Sequence, residues 1–388
     1  MGALDRCYNI DDLRLVAKRR LPRGVFEYVD RGSEGETSLR ENRAAFDRIR
    51  LRPRVLEDVS SRSLSTTLFG HTQSMPLAIA PMSPAGMLWY EGELAIARAA
   101  AAAGIPYTLP TESMTVLERI ASEAGGRLWF QLYLWQDRKL SYALLERVER
   151  AGYEALIVTV DTAVAPNREY NRRNGFAMPF RPSIRAYADI LAHPRWLAAV
   201  MGRYMLSTGM PLVANHPEAY RHAIMRAPPD DATEINKSTT WEDIRTLRRL
   251  WPRTLMVKGI LHPADAVLAV EAGADAVVVS NHGARNFDSA QASIDALPAI
   301  AETVRGRATL LLDSGIRRGS DVVKALALGA RGVLVGRPVL YGTAVGGEAG
   351  ARHALELLRG ELDKTMAYAG CRDIAAITGD LIAPQSVA

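Results

Sequence analysis

The chain has 388 residues, 48% of them apolar and 23% charged, and a formal net charge of +5. This composition excludes a disordered or fibrous protein, and no run approaches the ~18 uninterrupted apolar residues of a membrane-spanning helix. Positive charge this mild, without a basic module interleaved with aromatics, excludes nucleic acid as the expected partner and suits a small anionic substrate or cofactor.

The first twenty residues contain no apolar stretch and predict no secretory signal. Residues 1–75 read as an N-terminal extension, helical over Asp11–Arg20 and Arg23–Arg31 and then loop-like. Cys7 and Cys371 lie near opposite ends of the chain, which gives neither a disulfide framework nor metal-ligand spacing. Free structural thiols, no metal and a reducing, cytoplasmic setting are expected.

From Leu77 onward, short runs rich in Val, Ile and Leu recur: Leu77–Ala80, Ile105–Leu109, Leu128–Tyr133, Ala155–Val160, Leu255–Lys258, Ala276–Ser280, Thr309–Leu312 and Gly332–Val335. Such runs read as strands buried on both faces, the pattern of a parallel sheet. Segments of helical period stand between them: Glu91–Ala103, Val116–Ala124, Ser141–Ala151, Pro263–Ala272, Ile294–Val304 and Gly319–Leu328. Four end at an Ala-Gly or Gly-Ala pair. Eight such units in one chain predict an α/β fold, a closed (β/α)8 barrel of the TIM type, with chemistry at the C-terminal ends of its strands.

One connection is far longer than the rest. Residues 162–254 form an insertion after the fourth strand, and connections of that length usually carry function. Within it Ala188–Leu206 repeats apolar residues at roughly helical spacing, accompanied by Arg181, Arg185, Arg195 and Arg203. The segment 181–206 has two readings: a basic amphipathic helix resting on an anionic membrane surface from the inner face, or a helix packed on its own barrel or a neighbouring subunit.

The strand ends carry a polar series on this apolar scaffold: Met82-Ser83, Gln131 and Tyr133, Thr159 and Asp161, Lys258, Ser280 to Arg285, Asp313 to Gly319, and Gly336-Arg337. A His, two Asp, a Lys and several Arg converging on one face would each cost free energy if left unpaired, so a catalytic mouth is the expected reading. Gly315, Gly319 and Gly336 with Arg317 and Arg337 suit a phosphate group after strands seven and eight.

Taken together, Gln131-x-Tyr133, Thr159-Val160-Asp161-Thr162, Lys258-Gly259, Ser280-Asn281-His282-Gly283-x-Arg285 and Asp313-Ser314-Gly315-x-Arg317-Arg318-Gly319 resemble the FMN-dependent 2-hydroxy-acid oxidase and dehydrogenase family. The resemblance runs from about Tyr8 to Ile377, with every block in order. His193-Pro194-Arg195-Trp196 and Asp313-Ser314-Gly315 draw it toward the mandelate-oxidising members.

The resemblance implies a single domain over 1–388 that oxidises an L-2-hydroxy acid to the 2-oxo acid. A mandelate-like aryl acid is the first expectation and lactate the second; oxygen or a quinone takes the electrons, and the chain assembles as a homo-tetramer. It implies His282 as base, Asp161 as its orienting partner and Tyr133 on the reacting oxygen. Arg285, Tyr28 and Arg168 would lie on the substrate, with Lys258 against the N1/O2 edge of the flavin. FMN would be bound further by Met82, Ser83, Thr111, Gln131, Thr159, Ser280, Asp313, Ser314, Gly315, Arg317, Gly336 and Arg337.

The chain departs from the family pattern at Met82-Ser83, Pro110-Thr111, Ala284 and Asn286-Phe287, all on the flavin-and-substrate face. Two other readings compete. One is a barrel aldolase or isomerase using Lys258 as a Schiff base and Arg317 and Arg337 on a substrate phosphate. The other is a flavin binder without turnover.

Overall fold

The structure, a computed structural model, describes residues 2–176, 183–223, 226 and 228–384. Eight parallel strands close a barrel in chain order: β1 Leu77–Ile79, β2 Tyr107–Pro110, β3 Leu128–Leu132, β4 Ala155–Thr159, β5 Thr254–Ile260, β6 Ala276–Val279, β7 Thr309–Leu312 and β8 Gly332–Val335. Val333 of β8 stands opposite Leu77 of β1 and completes the ring. All eight apolar runs of the sequence are strands, and none of their ends moves by more than two residues.

Alternation along each strand decides what faces the lumen. Ala78, Trp129, Ala155, Ile157, Met256, Ala276, Val278, Leu311 and Leu334 form one apolar plug inside the barrel, separate from the larger core between strands and helices. Leu68 joins this plug from an antiparallel hairpin, Thr66–Leu68 with His71–Gln73. Arg127, one residue before β3, donates to its carbonyl at 3.4 Å. Steps of two from the plug toward the strand C-termini reach Met82, Gln131, Tyr133, Thr159, Lys258, Ser280, Asp313 and Gly336.

Three helices were not legible in the sequence. Thr37–Arg48 lies where a loop was expected; its buried face is Ser38, Asn42, Ala45 and Phe46, half of it polar, which hides the 3.6-residue period. Trp241–Leu250, with Thr240 and Asp243 forming a capping box, stands where the crossover helix before β5 belongs. The irregular part of the long insertion therefore ends near Thr240. After β8 the chain continues as Arg337–Ala369, broken at Gly346-Gly347.

The expected amphipathic helix is split. Ile184–Leu191 ends before His193-Pro194, where proline removes a donor and forces the preceding residue out of the α region; a second, unbroken helix follows through Pro194–Trp196, Leu197–Gly202 and Arg203–Ser207, π-helical in its middle segment. Trp196, Val200 and Tyr204 pack inward, the Trp196 indole donating to the Met87 carbonyl at 2.8 Å. Ile184, Tyr187, Leu191, Met205 and Leu206 are exposed. Arg181 lies outside the described residues.

Candidate active site

One cavity opens at the C-terminal mouth of the barrel, and it gathers most of the polar series. Met82, Ser83, Gln131, Tyr133, Thr159, Lys258, His282, Arg285, Asp313, Ser314, Gly315, Arg317, Gly336 and Arg337 line it, joined by Tyr28 from the N-terminal extension and Arg168 from the insertion. Thr111, Asp161 and Ser280 do not line it and stand one layer behind.

In that second layer Ser280 and Thr111 are engaged on both sides, while Asp161 Oδ2 is buried without a hydrogen-bond partner among the described residues. The Ser280 hydroxyl donates to Asp313 Oδ2 at 2.6 Å and accepts from Lys258 Nζ at 3.2 Å and the His282 amide at 3.0 Å. Lys258, nearly fully buried, also approaches Asp313 Oδ2 at 3.2 Å. Thr111 donates to the Gln131 carbonyl at 2.7 Å and accepts from the Tyr133 amide at 3.1 Å.

His282 sits on a short turn whose backbone is left-handed at three successive residues, His282, Gly283 and Ala284. A non-glycine residue there is strained and needs support. The helix Thr37–Arg48 provides it: Asn42 exchanges two side-chain hydrogen bonds with Asn281, at 2.9 and 2.8 Å, and Ser314 accepts from the Gly283 amide at 2.9 Å.

His282 Nδ1 is 2.8 Å from Asp161 Oδ1, so Nδ1–H donates to the carboxylate and Nε2 keeps its lone pair, 3.5 Å from the Tyr133 hydroxyl. Burial pushes the His282 imidazole below its ordinary pKa; Asp161 works the other way, and Lys258 and Arg168 add to the lowering. Burial raises the Asp161 carboxyl, but His282 and Lys258 outweigh it and hold it low. Burial drives the Tyr133 phenol upward, so it stays a donor, whereas Arg168 and Arg285 overcome burial and bring the Tyr28 phenol down.

Arg285 donates through Nη1 to the Tyr28 carbonyl and lies 4.9 Å from the Tyr28 ring centroid. Arg168 approaches the same ring from 5.7 Å and donates through Nε to the Arg285 carbonyl at 3.1 Å. Arg337 is committed differently: Nε, Nη1 and Nη2 each donate to a backbone carbonyl, those of Val29, Gly283 and Arg31. Its guanidinium ties the N-terminal extension to the His282 turn, and burial lowers its pKa to about 10.

Gly259 makes room for the His–Asp pair. It sits where the register of β5 against β6 shifts, at φ +111°, and a Cβ there would stand 2.7 Å from Asp161 Cβ and Cγ. Gly259→Ala is expected to cost about 1–3 kcal/mol of stability and to push Asp161 off His282. A lower Tm together with a shifted His282 imidazole resonance checks this.

The cavity also holds residues absent from the sequence expectations: Glu112, Phe176, Val213 and His222. Glu112 was within reach, being two residues beyond Pro110 on the inward parity of β2. His222 comes from the insertion, where no strand period could point to it. Met87, Phe176 and His222 also line a second, larger cavity of about 1090 Å³ beneath the insertion, flanked by Arg23, Arg185 and Arg221.

Residues 17–384 match the family model described as FMN-dependent dehydrogenase. The chain is 40% identical to an (S)-mandelate dehydrogenase of Pseudomonas putida, over 98% of this chain and 95% of that one. It is 44% identical to an L-lactate oxidase of Nostoc sp., over 97% and 98%. A crystal structure of the monotopic membrane protein (S)-mandelate dehydrogenase superposes with a TM-score of 0.89 at 38% identity, covering 97% of this chain and 99% of that one.

Proposed function

Because the chain belongs to the FMN-dependent dehydrogenase family and so oxidises an L-2-hydroxy acid with FMN, we propose that its substrate is an aryl 2-hydroxy acid of the mandelate type, with lactate second, and that the residues at the barrel mouth divide the work as follows. The observation that carries this reading is the convergence of His282, Tyr133, Arg285 and Arg168 on one cavity, with Asp161 behind His282.

Its polar wall suits a flavin. Gln131 Nε2 and Thr159 Oγ1 are buried without a partner among the described residues, which fits the hydrogen-bonding edge of a flat heterocycle. Gly315, at φ +85°, and Gly336 let backbone approach a phosphate, with Arg317 beside them. Of the five N–H groups of Arg337, two remain for that phosphate. Met82 and Ser83 lie on the same wall, and Lys258, between Asp313 and Ser280, offers a fixed cation to a ring edge that gains negative charge. FMN, when bound, supplies the two-electron acceptor.

The chain's own groups do the rest. Arg285 holds the substrate carboxylate by its fork, with the Tyr28 hydroxyl and Arg168 alongside. Tyr133 donates to the reacting oxygen, and His282 Nε2 takes up the substrate proton. Asp161 then stabilises the imidazolium. The electrons leave to oxygen or a quinone. Purified protein should be yellow, and anaerobic (S)-mandelate should bleach it, L-lactate more slowly; colour that no 2-hydroxy acid bleaches would overturn the reading.

The insertion also contacts an anionic membrane surface through Ile184, Leu191, Met205 and Leu206, exposed beside Arg185, Arg195 and Arg203. No described helix is long and apolar enough to cross a bilayer. Leu191→Glu/Leu206→Glu should reduce co-sedimentation with phosphatidylserine vesicles at least about tenfold, since each buried leucine contributes roughly 1.5–3 kcal/mol; unchanged pelleting would point instead to packing on a neighbouring subunit. Native mass spectrometry should show four chains.

A further inference from the structure

From the acceptor groups that line the substrate side of the cavity, we infer that the enzyme selects aryl 2-hydroxy acids whose ring carries a hydroxyl, through a hydrogen bond to Glu112 supported by His216 and His222. This rests on the hydroxy-acid reading above and narrows it.

Glu112 follows β2, and the Ser83 hydroxyl, donating to its carbonyl, fixes its backbone. Glu112 lines the same cavity as Tyr28 and Tyr133, and its carboxylate side chain remains 31% exposed. His216, fully buried, holds that carboxylate: Nε2 lies 3.1 Å from Glu112 Oε1. Opposite a carboxylate oxygen Nε2 is the donor, and this fixes the tautomer with a bare Nδ1, which has no partner among the described residues. The His216 ring also packs on Trp135 at 4.7 Å and on His222 at 5.4 Å, so Glu112 is anchored from behind rather than free to swing out.

His222 is tautomer-fixed in the opposite sense. Its Nδ1 is 2.9 Å from the Tyr220 carbonyl and donates to it, so Nε2 is left as an acceptor. Two acceptors, a carboxylate and an imidazole nitrogen, therefore share a cavity wall with the apolar Met87, Phe176 and Val213. Apolar surface for a ring combined with acceptors for a donor is the complement of a phenol. An ammonium would also donate, but Arg168, Arg285 and Lys258 line the same cavity and repel it. An unsubstituted phenyl ring would displace water from the carboxylate and give back no hydrogen bond in its place, leaving it the His216 donor alone, which costs binding free energy.

The test compares (S)-4-hydroxymandelate with (S)-mandelate as substrates of the FMN-loaded enzyme. The wild type should favour the hydroxylated acid by about 10–100-fold in kcat/KM, the worth of one hydrogen bond to a charged group. Glu112→Leu should bring that ratio close to one. Glu112→Gln, which keeps the shape and one acceptor oxygen, should give an intermediate ratio.

Equilibrium binding of the corresponding 2-oxo acids, with and without the ring hydroxyl, should follow the same order without depending on turnover. Equal use of both acids by the wild type, or a preference that survives Glu112→Leu, would overturn the inference while leaving the hydroxy-acid reading intact. Bleaching by neither acid would bring down both.

Discussion

Replacing His282 with Gln should slow bleaching of the bound flavin by (S)-mandelate about 10²–10⁴-fold, the range that a positioned general base contributes. Gln matches the length of imidazole and can still donate toward Asp161, but it offers no nitrogen lone pair to take the proton. Flavin content and Tm should stay close to wild type, because the turn is held by Asn42, Asn281 and Ser314 and not by the imidazole itself. A variant that bleaches at a near-normal rate would remove His282 from the chemistry.

The pH profile adds a second readout. Burial, Lys258 and Arg168 hold the imidazole below its ordinary value against the pull of Asp161. The neutral, proton-accepting ring is therefore already the prevailing form at neutral pH. In the wild type kcat/KM should be flat around neutrality and fall only as pH drops below about 6.5. That acid limb should be missing from the residual activity of His282→Gln.

How much of this was legible depended on whether a residue obeyed a period. The strands were readable because each is apolar on both faces, and the site was readable because the same alternation carries on past the strand ends: from Ile157 to Thr159 and Asp161, from Met256 to Lys258, from Leu311 to Asp313. Glu112 obeys that rule too, beyond Thr108 and Pro110. It was passed over because a lone glutamate in a loop looks like a solvated residue. The helix Thr37–Arg48 was hidden for the opposite reason: its inward residues Ser38 and Asn42 are polar because they hold the loop after β6, Ser38 donating to the carbonyls of Asp288 and Ala290 at 2.6 Å.

The residue type of Arg337 signalled a buried cation at the right strand end, yet sequence could not show that three carbonyls take up most of its donors. His222 had no local signal at all. It reaches the cavity through the irregular insertion, and only the folded chain sets it against His216, which in turn holds Glu112.

Arg285→Met should lower kcat/KM for mandelate by about 10²–10⁴-fold, since two charge-assisted hydrogen bonds to a carboxylate are worth roughly 1.5–3 kcal/mol each. Arg285 also has a structural duty, for it donates to the Tyr28 carbonyl and stacks over the Tyr28 ring. A fall caused only by loosening the N-terminal extension would weaken every substrate alike.

The two causes separate on the ligand. Mandelamide, which lacks the carboxylate charge, should lose far less than mandelate in the Met variant, whereas a purely structural defect would penalise both equally. Arg285→Lys keeps the charge and gives up the planar fork, so its loss should appear mainly in KM. Arg168, which approaches the same tyrosine ring, would set the floor of the effect as a second cation for the carboxylate. An unchanged KM in Arg285→Lys together with equal losses on acid and amide in Arg285→Met would assign the carboxylate to Arg168 and leave Arg285 to hold Tyr28.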